Sequence, residues 1–332
     1  MSRLAVVGAG SWGTALAIAL APRFHSVHLW ARNCERADEI ARLRENPRYL
    51  PGMLLPRHVD VSGDLRLAIT AADIVLIVVP CPHIRGVLHR IRPHLSAAAR
   101  VVSGSKGIEE ATLCRMSQVV SEALARASSA PVVVLSGPTF AREVAAGEPA
   151  ALVVASEDTK AAEEIQSIFS TPKLRLYVSR DVIGVELGAA LKNVVAIGAG
   201  ICRGLGLGSN SVAALVTRGL AEITRLAVTM GADPRTLSGL AGLGDLVLTA
   251  TGDLSRNRFV GIQLGEGRKL DQILGGMSMV AEGVGTCRAA HQLGIERGVN
   301  LPIIDKMHEV LYESKDPREA VRELMERPLT SE

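Results

Sequence analysis

Short β-branched runs alternate with helically patterned stretches through the first 180 residues, and no other feature of the sequence constrains the fold as much. Residues 4–7, 27–30, 74–79, 100–103, 132–135 and 151–155 each have the length of a buried strand. Between most of them, residues 11–21, 35–44, 84–94 and 113–127 carry apolar side chains at helical spacing. Such alternation implies βαβ units with right-handed crossovers, and hence an α/β fold with a mostly parallel, doubly wound sheet. After about residue 180 the strand-like runs vanish. Residues 182–201, 212–230, 283–296, 303–312 and 318–326 all read as helices. The expected organisation is therefore an α/β domain over residues 1–180 and an all-helical domain over 181–332. No low-complexity linker separates them, so a tight junction is expected near residues 178–181.

Composition narrows the function. The 332 residues suffice for two cores, and 48% hydrophobic against 21% charged residues excludes a disordered chain. The 37 Lys and Arg nearly balance 34 Asp and Glu, leaving +3, which is no basic stripe for a phosphate backbone. With 3% aromatics there is no base-stacking platform either, so no nucleic-acid partner is expected. Cys34, Cys81, Cys114, Cys202 and Cys287 are scattered and odd in number, which suits reduced core cysteines in a reducing compartment; no metal site is expected. His25 and His28, the one close histidine pair, are expected to be satisfied or solvated rather than ligands. The uncharged stretch between Arg3 and Arg23 resembles a signal segment, but Gly8, Gly10 and Gly13 interrupt it. No membrane span is expected, and a cytoplasmic location follows.

Those glycines have another physical use. In Gly8-Ala9-Gly10-Ser11-Trp12-Gly13, directly after a strand and opening a helix, the first permits a tight turn and the second lets backbone approach a pyrophosphate. The third allows close helix packing, while the helix N-terminus supplies N–H donors. Strand, helix and sheet context agree on a Rossmann-like dinucleotide site. The second strand ends near Arg32, where NAD-specific sites place a carboxylate. A guanidinium there favours the 2′-phosphate of NADP(H); the alternative is a solvated arginine at a strand end.

Lysine is scarce, and two lysines stand in unusual places. Lys106 follows a parallel strand at its carboxyl end, where open α/β sheets bind ligands. Lys192 interrupts an otherwise uncharged run from 187 to 202 and would be costly to bury unless something negative meets it. Lysines so placed polarise carbonyls or exchange protons, although each could also snorkel past an apolar helix. Asp245, in Gly-Leu-Gly-Asp, could pair with Lys192, accept from a substrate hydroxyl, or cap a helix. Residues 136–140, with Pro138 suited to a first helical turn, and Ser255-Arg256-Asn257-Arg258 both look built for anions or for simple capping.

Read together, these stretches resemble the bacterial NAD(P)-dependent glycerol-3-phosphate dehydrogenases over nearly the whole chain. The similarity lies in GAGSWGTALA (8–17), SGSKGIE (103–109), SGPTFAREVAAGEP (136–149), the Lys-Asn helix (186–223), GLAGLGDLVLT (239–249), SRNR (255–258) and AEGVGT (281–286). The resemblance implies reduction of dihydroxyacetone phosphate to sn-glycerol 3-phosphate with NADP(H) or NAD(H), supplying the backbone for phospholipid synthesis. It implies Lys192 as the proton donor or acceptor, with Lys106, Asn193 and Asp245 in the catalytic group. Lys106, Gly137, Thr139, Lys192, Asp245, Ser255, Arg256 and Asn257 would line the substrate site. Gly8, Gly10, Ser11, Trp12, Gly13, Arg32, Lys106, Ala141, Arg256, Val280 and Glu282 would meet the cofactor. Thr139 stands where most members are expected to have serine, which keeps the hydroxyl. A homodimer is compatible with the resemblance and is not fixed by it.

Overall fold

The computed structural model describes residues 2–125, 130–277 and 279–328. They form two compact units, Met1–Lys106 with Cys114–Glu186, and Gly107–Leu113 with Leu187–Glu332. The first runs β1 (Arg3–Val7), α1 (Ser11–Leu20), β2 (Ser26–Trp30), α2 (Cys34–Leu43), the hairpin β3 (Glu45–Asn46) and β4 (Leu50–Leu54), β5 (Val59–Ser62), α3 (Leu65–Ile69) and β6 (Ile74–Ile77). It continues with α4 (Ile84–Ile91), β7 (Arg100–Ser103), α5 (Met116–Leu124), β8 (Val133–Ser136), α6 (Ala141–Ala145), β9 (Ala150–Ala155), α7 (Thr159–Phe169), β10 (Leu174–Ser179) and the start of α8 (Val182–Gly204).

Eight strands make one sheet in the order β10-β9-β8-β7-β6-β1-β2-β5, parallel throughout except where β8 meets β9. The strands alternate their side chains between two cores, because successive Cβ atoms point to opposite faces. Leu4, Val6, Ile74 and Leu76 join Leu16, Leu20, Ile40 and Phe169 from α1, α2 and α7 on one face. Ala5, Val7, Val75 and Ile77 join Ile84, Leu88, Val119 and Val120 from α4 and α5 on the other. This is the doubly wound sheet that the alternation predicts. Its strand order reverses between β6 and β1, and ligands in such sheets bind at the carboxyl ends of the strands flanking that point.

The second unit carries the rest of α8, then α9 (Ser209–Thr229), α10 (Pro234–Leu237), a π-helical turn (Leu240–Gly244), α11 (Asp245–Thr251), α12 (Arg256–Gly265), α13 (Leu270–Gly275), α14 (Glu282–Arg297), α15 (Pro302–Tyr312) and α16 (Pro317–Met325). No strand occurs among its described residues. α8 is long and apolar enough to cross a membrane, but 94% of its most apolar window is buried inside the protein, and it serves as a core helix. It crosses α12 backbone to backbone through two glycine pairs. A Cβ at Gly200 or Gly204 would stand 2.1 or 2.2 Å from the Arg258 or Ile262 carbonyl oxygen, and one at Gly261 would stand 1.9 Å from that of Ile197. Only hydrogen fits at these positions.

β10 spans Leu174–Ser179, and the first compact unit reaches Glu186. Inside the buried start of α8, the Glu186 carboxylate accepts from the Ser117 backbone N–H at 2.7 Å and its hydroxyl at 2.6 Å, and pairs with Arg115. The helix expected over 113–127 spans only Met116–Leu124, since Leu113 adopts a φ of 57°; Ala127 lies outside the described residues. Only Cys202 and Cys287 are buried; Cys34 is exposed and Cys81 and Cys114 are half-buried, and none of the five forms a disulfide. His28 is half-buried: its Nε2 is buried without a hydrogen-bond partner, and burial holds its pKa below the usual value.

Candidate active site

In the first unit the glycine-rich turn joins β1 to α1. Gly8 has a φ of 120°, and a Cβ there would lie 2.3 Å from the Val78 carbonyl oxygen; one on Gly13 would lie 1.9 Å from that of Gly8. Gly10 differs, because a Cβ on it would meet nothing within 4 Å. Packing therefore explains Gly8 and Gly13 but leaves space in front of Gly10, the position through which backbone approaches a pyrophosphate. Ser11 opens α1, and the indole Nε1 of Trp12 is buried with no hydrogen-bond partner. An open face before Gly10, a helix N-terminus and an orphaned donor are what a dinucleotide would satisfy, so the residues present fit one. Arg32 is exposed just beyond β2.

Lys106 follows β7, and its ammonium donates to the Gly137 carbonyl at 3.4 Å. The Thr139 hydroxyl donates to the same oxygen at 3.3 Å, so three of the expected substrate residues converge in the turn after β8. Pro138 lies outside the helix it was expected to open: α6 begins at Ala141, with Phe140 as its cap.

In the second unit α8 carries Lys192 and Asn193, 5% and 4% exposed. The Lys192 ammonium pairs with Asp245, which is fully buried, and donates to Thr249 Oγ1 at 2.7 Å. The Thr249 hydroxyl in turn donates to the Asp245 carbonyl at 2.6 Å. Asp245 is the first residue of α11 and not its cap, which is Gly244. Removing both charges from water costs several kcal/mol per ion, which their mutual attraction and the hydrogen bond to Thr249 offset. Sequence reasoning passed over Thr249. Its signal was its place four residues after Asp245, one turn along a helix.

A second chain of contacts orients Asn193. Its Oδ1 accepts from Asn257 Nδ2 at 2.9 Å, and Asn257 Oδ1 accepts from the Gly283 N–H at 2.9 Å, linking α8, α12 and the first turn of α14. Ser255 caps α12 by accepting from the Arg258 N–H at 3.2 Å. Arg258 pairs with Asp253 at 2.8 Å, whereas the half-buried Arg256 forms no ion pair among the described residues. Glu282 opens α14, and Val280 is 45% exposed before it.

Models of the NAD-dependent glycerol-3-phosphate dehydrogenase N-terminus and C-terminus match residues 3–162 and 181–322. A glycerol-3-phosphate dehydrogenase [NAD(P)+] of Koribacter versatilis is 53% identical over 334 aligned positions, covering 100% of this chain and 99% of that one. One from Geobacter sp. is 52% identical, covering 99% and 98%. The crystal structure of glycerol-3-phosphate dehydrogenase from Coxiella burnetii superposes with a TM-score of 0.94 at 39% identity, covering 98% and 99%. A ketopantoate reductase from Ralstonia eutropha, at 19% identity and a TM-score of 0.63, shares the fold alone. The chain thus belongs to the NAD-dependent glycerol-3-phosphate dehydrogenase family.

Proposed function

We propose that the chain reduces dihydroxyacetone phosphate to sn-glycerol 3-phosphate with NADPH or NADH, and that the observation carrying this reading is the buried ammonium of Lys192 on an apolar helix, paired with Asp245. When bound, the nicotinamide supplies a hydride to the central carbon of the ketone. Negative charge then develops on the ketone oxygen. Lys192, held by Asp245 and Thr249, donates a proton to that oxygen, and Lys106 stabilises the same charge. Asn193, set by Asn257, holds the ketone in register. Arg256 meets no carboxylate among the described residues, which leaves its fork for a phosphate, and Ser255, Asn257, Gly137 and Thr139 complete the substrate site. Gly8, Gly10, Ser11, Trp12, Gly13, Arg32, Lys106, Ala141, Arg256, Val280 and Glu282 hold the cofactor, with residues 1–180 as the dinucleotide domain and 181–332 as the substrate domain.

The product supplies the glycerol phosphate backbone of phospholipids in the cytoplasm, and the working form is a homodimer. Steady-state NADPH oxidation tests the reaction. Dihydroxyacetone phosphate is expected to be turned over at least about a hundredfold more efficiently than dihydroxyacetone or ketopantoate. Equal efficiency with ketopantoate would overturn the assignment.

A further inference from the structure

The β3–β4 hairpin pairs with no strand of the main sheet, yet it carries one of the most buried polar side chains in the first unit. Asn46 is 2% exposed. One Nδ2 proton goes to the Ala9 carbonyl at 2.9 Å and the other to Thr14 Oγ1 at 2.9 Å, while Oδ1 accepts from the Tyr49 N–H at 3.2 Å. Every polar atom is used, and the amide bridges the glycine-rich turn and the helix it opens. The hairpin itself is anchored at its base, where Leu55 N–H donates to the Arg44 carbonyl at 2.7 Å and the Arg44 guanidinium donates to the Val59 carbonyl at 2.8 Å.

Ala9 is the residue between the two glycines. A trans peptide directs its C=O and the following N–H to opposite sides, so fixing the Ala9 carbonyl on Asn46 turns the Gly10 N–H away from the hairpin. Gly10 is also the glycine whose missing Cβ opens onto free space. We infer that Asn46 is a positioning residue for the dinucleotide: it presets the Ala9–Gly10 peptide so that its N–H is aimed at the pyrophosphate before the cofactor arrives. A burial site needing only volume would take an apolar residue. An amide with both donors spent on this turn sets the turn's orientation instead, and preset donors bind more tightly because no ordering cost remains. The inference rests on the cofactor reading above.

Asn46→Asp separates the two roles of the side chain, since a carboxylate keeps the acceptor for Tyr49 N–H and loses the donor to Ala9. The dissociation constant for NADPH, read by cofactor fluorescence or calorimetry, is expected to rise about tenfold for Asn46→Ala and further for Asn46→Asp. The loss should appear in KM for NADPH and much less in kcat at saturating cofactor. A twofold or smaller change in either variant, with the far-ultraviolet dichroism unaltered, would overturn the inference. The wild-type protein gives a check that needs no variant. In the absence of cofactor the Asn46 side-chain amide protons are expected to exchange at least about a hundredfold more slowly than those of a free amide. Free-amide exchange that slows only on cofactor addition would show that the turn is not preset and would overturn the proposal. Failure of the wild type to bind NADPH at all would instead remove the cofactor reading itself.

Discussion

Gly10 and Gly13 differ by three positions and by opposite physical reasons for lacking a side chain. A methyl group on Gly13 would collide with the Gly8 carbonyl oxygen, and the turn would have to open. On Gly10 it would enter empty space at a φ of −77°, where alanine is unstrained. Gly13→Ala should therefore lower the thermal midpoint by the equivalent of about 2 kcal/mol or more. Gly10→Ala should leave it unchanged or raise it slightly, because alanine restricts the unfolded chain, while NADPH binding weakens about tenfold. Thermal melts with and without cofactor separate the two; equal destabilisation by both would refute the contrast. Arg32→Asp should shift preference from NADPH toward NADH, with equal losses for both cofactors counting against a role at the 2′ position. Arg256 invites a sharper test, since lysine offers a point charge where the guanidinium offers a fork. Arg256→Lys should recover only part of what Arg256→Ala loses toward dihydroxyacetone phosphate. Reduction of dihydroxyacetone, which lacks the phosphate, should suffer far less in both, and equal losses would withdraw the clamp.

Helix α15 begins Leu301-Pro302-Ile303-Ile304, a start with no side-chain cap of its own. Its orphan N–H groups are met by the Glu222 carboxylate from α9, which accepts from Ile303 at 2.8 and 3.0 Å and from Ile304 at 3.2 Å. Burial outweighs these donors and pushes the Glu222 carboxyl up to about 7 from an ordinary 4.5. A raised pKa means that the folded protein holds this proton more tightly than the unfolded chain. The group's contribution is thus complete below about pH 4.5 and is lost as pH rises to about 7, a swing of roughly 3 kcal/mol. Glu222→Gln should flatten the denaturant midpoint against pH over that window, and parallel curves for the two proteins would refute the shift. Nothing in the local sequence of either helix reveals this cap, because its two halves are some eighty residues apart. The same limit explains the rest of what sequence reasoning could and could not reach. β6 is a continuous apolar run, β1 is one after Arg3, and β2 and β7 are apolar but for Ser26 and His28, Arg100 and Ser103, so all four were legible as buried strands. β5, reading Val-Asp-Val-Ser, and the edge strand β10, alternately buried and exposed, carry polar residues that hid them. At the site, Lys192 was legible because it is a charge in an apolar run. Asp245 was legible only as one of several alternatives, since its partner comes from packing.

Across the whole molecule the backbone passes from one unit to the other after Lys106, returns after Leu113, and leaves again after Glu186 within α8. Glu186 is fixed by Arg115 and Ser117 in the first unit, and Lys192 lies six residues further along the same helix in the second. Under the proposed function the turn before α1 holds the cofactor and Lys192 moves the proton, so the two capacities should be separately removable. Saturation with NADPH at about a hundred times its dissociation constant stabilises the folded state by roughly 2.7 kcal/mol, or about 5–10 °C in midpoint for a domain of this size. Gly10→Ala, binding tenfold more weakly, should show about half that shift at the same concentration. Lys192→Met leaves Asp245 buried without its counter-ion and should melt lower than the wild type without ligand. Its NADPH-induced shift should nonetheless match the wild-type shift, while turnover falls by about 10² to 10⁴. The comparison is the ligand-induced difference, so the lower starting midpoint does not enter. If Lys192→Met lost its cofactor shift in step with its turnover, the ammonium would be holding the dinucleotide site together, and its assignment as the proton donor would fall.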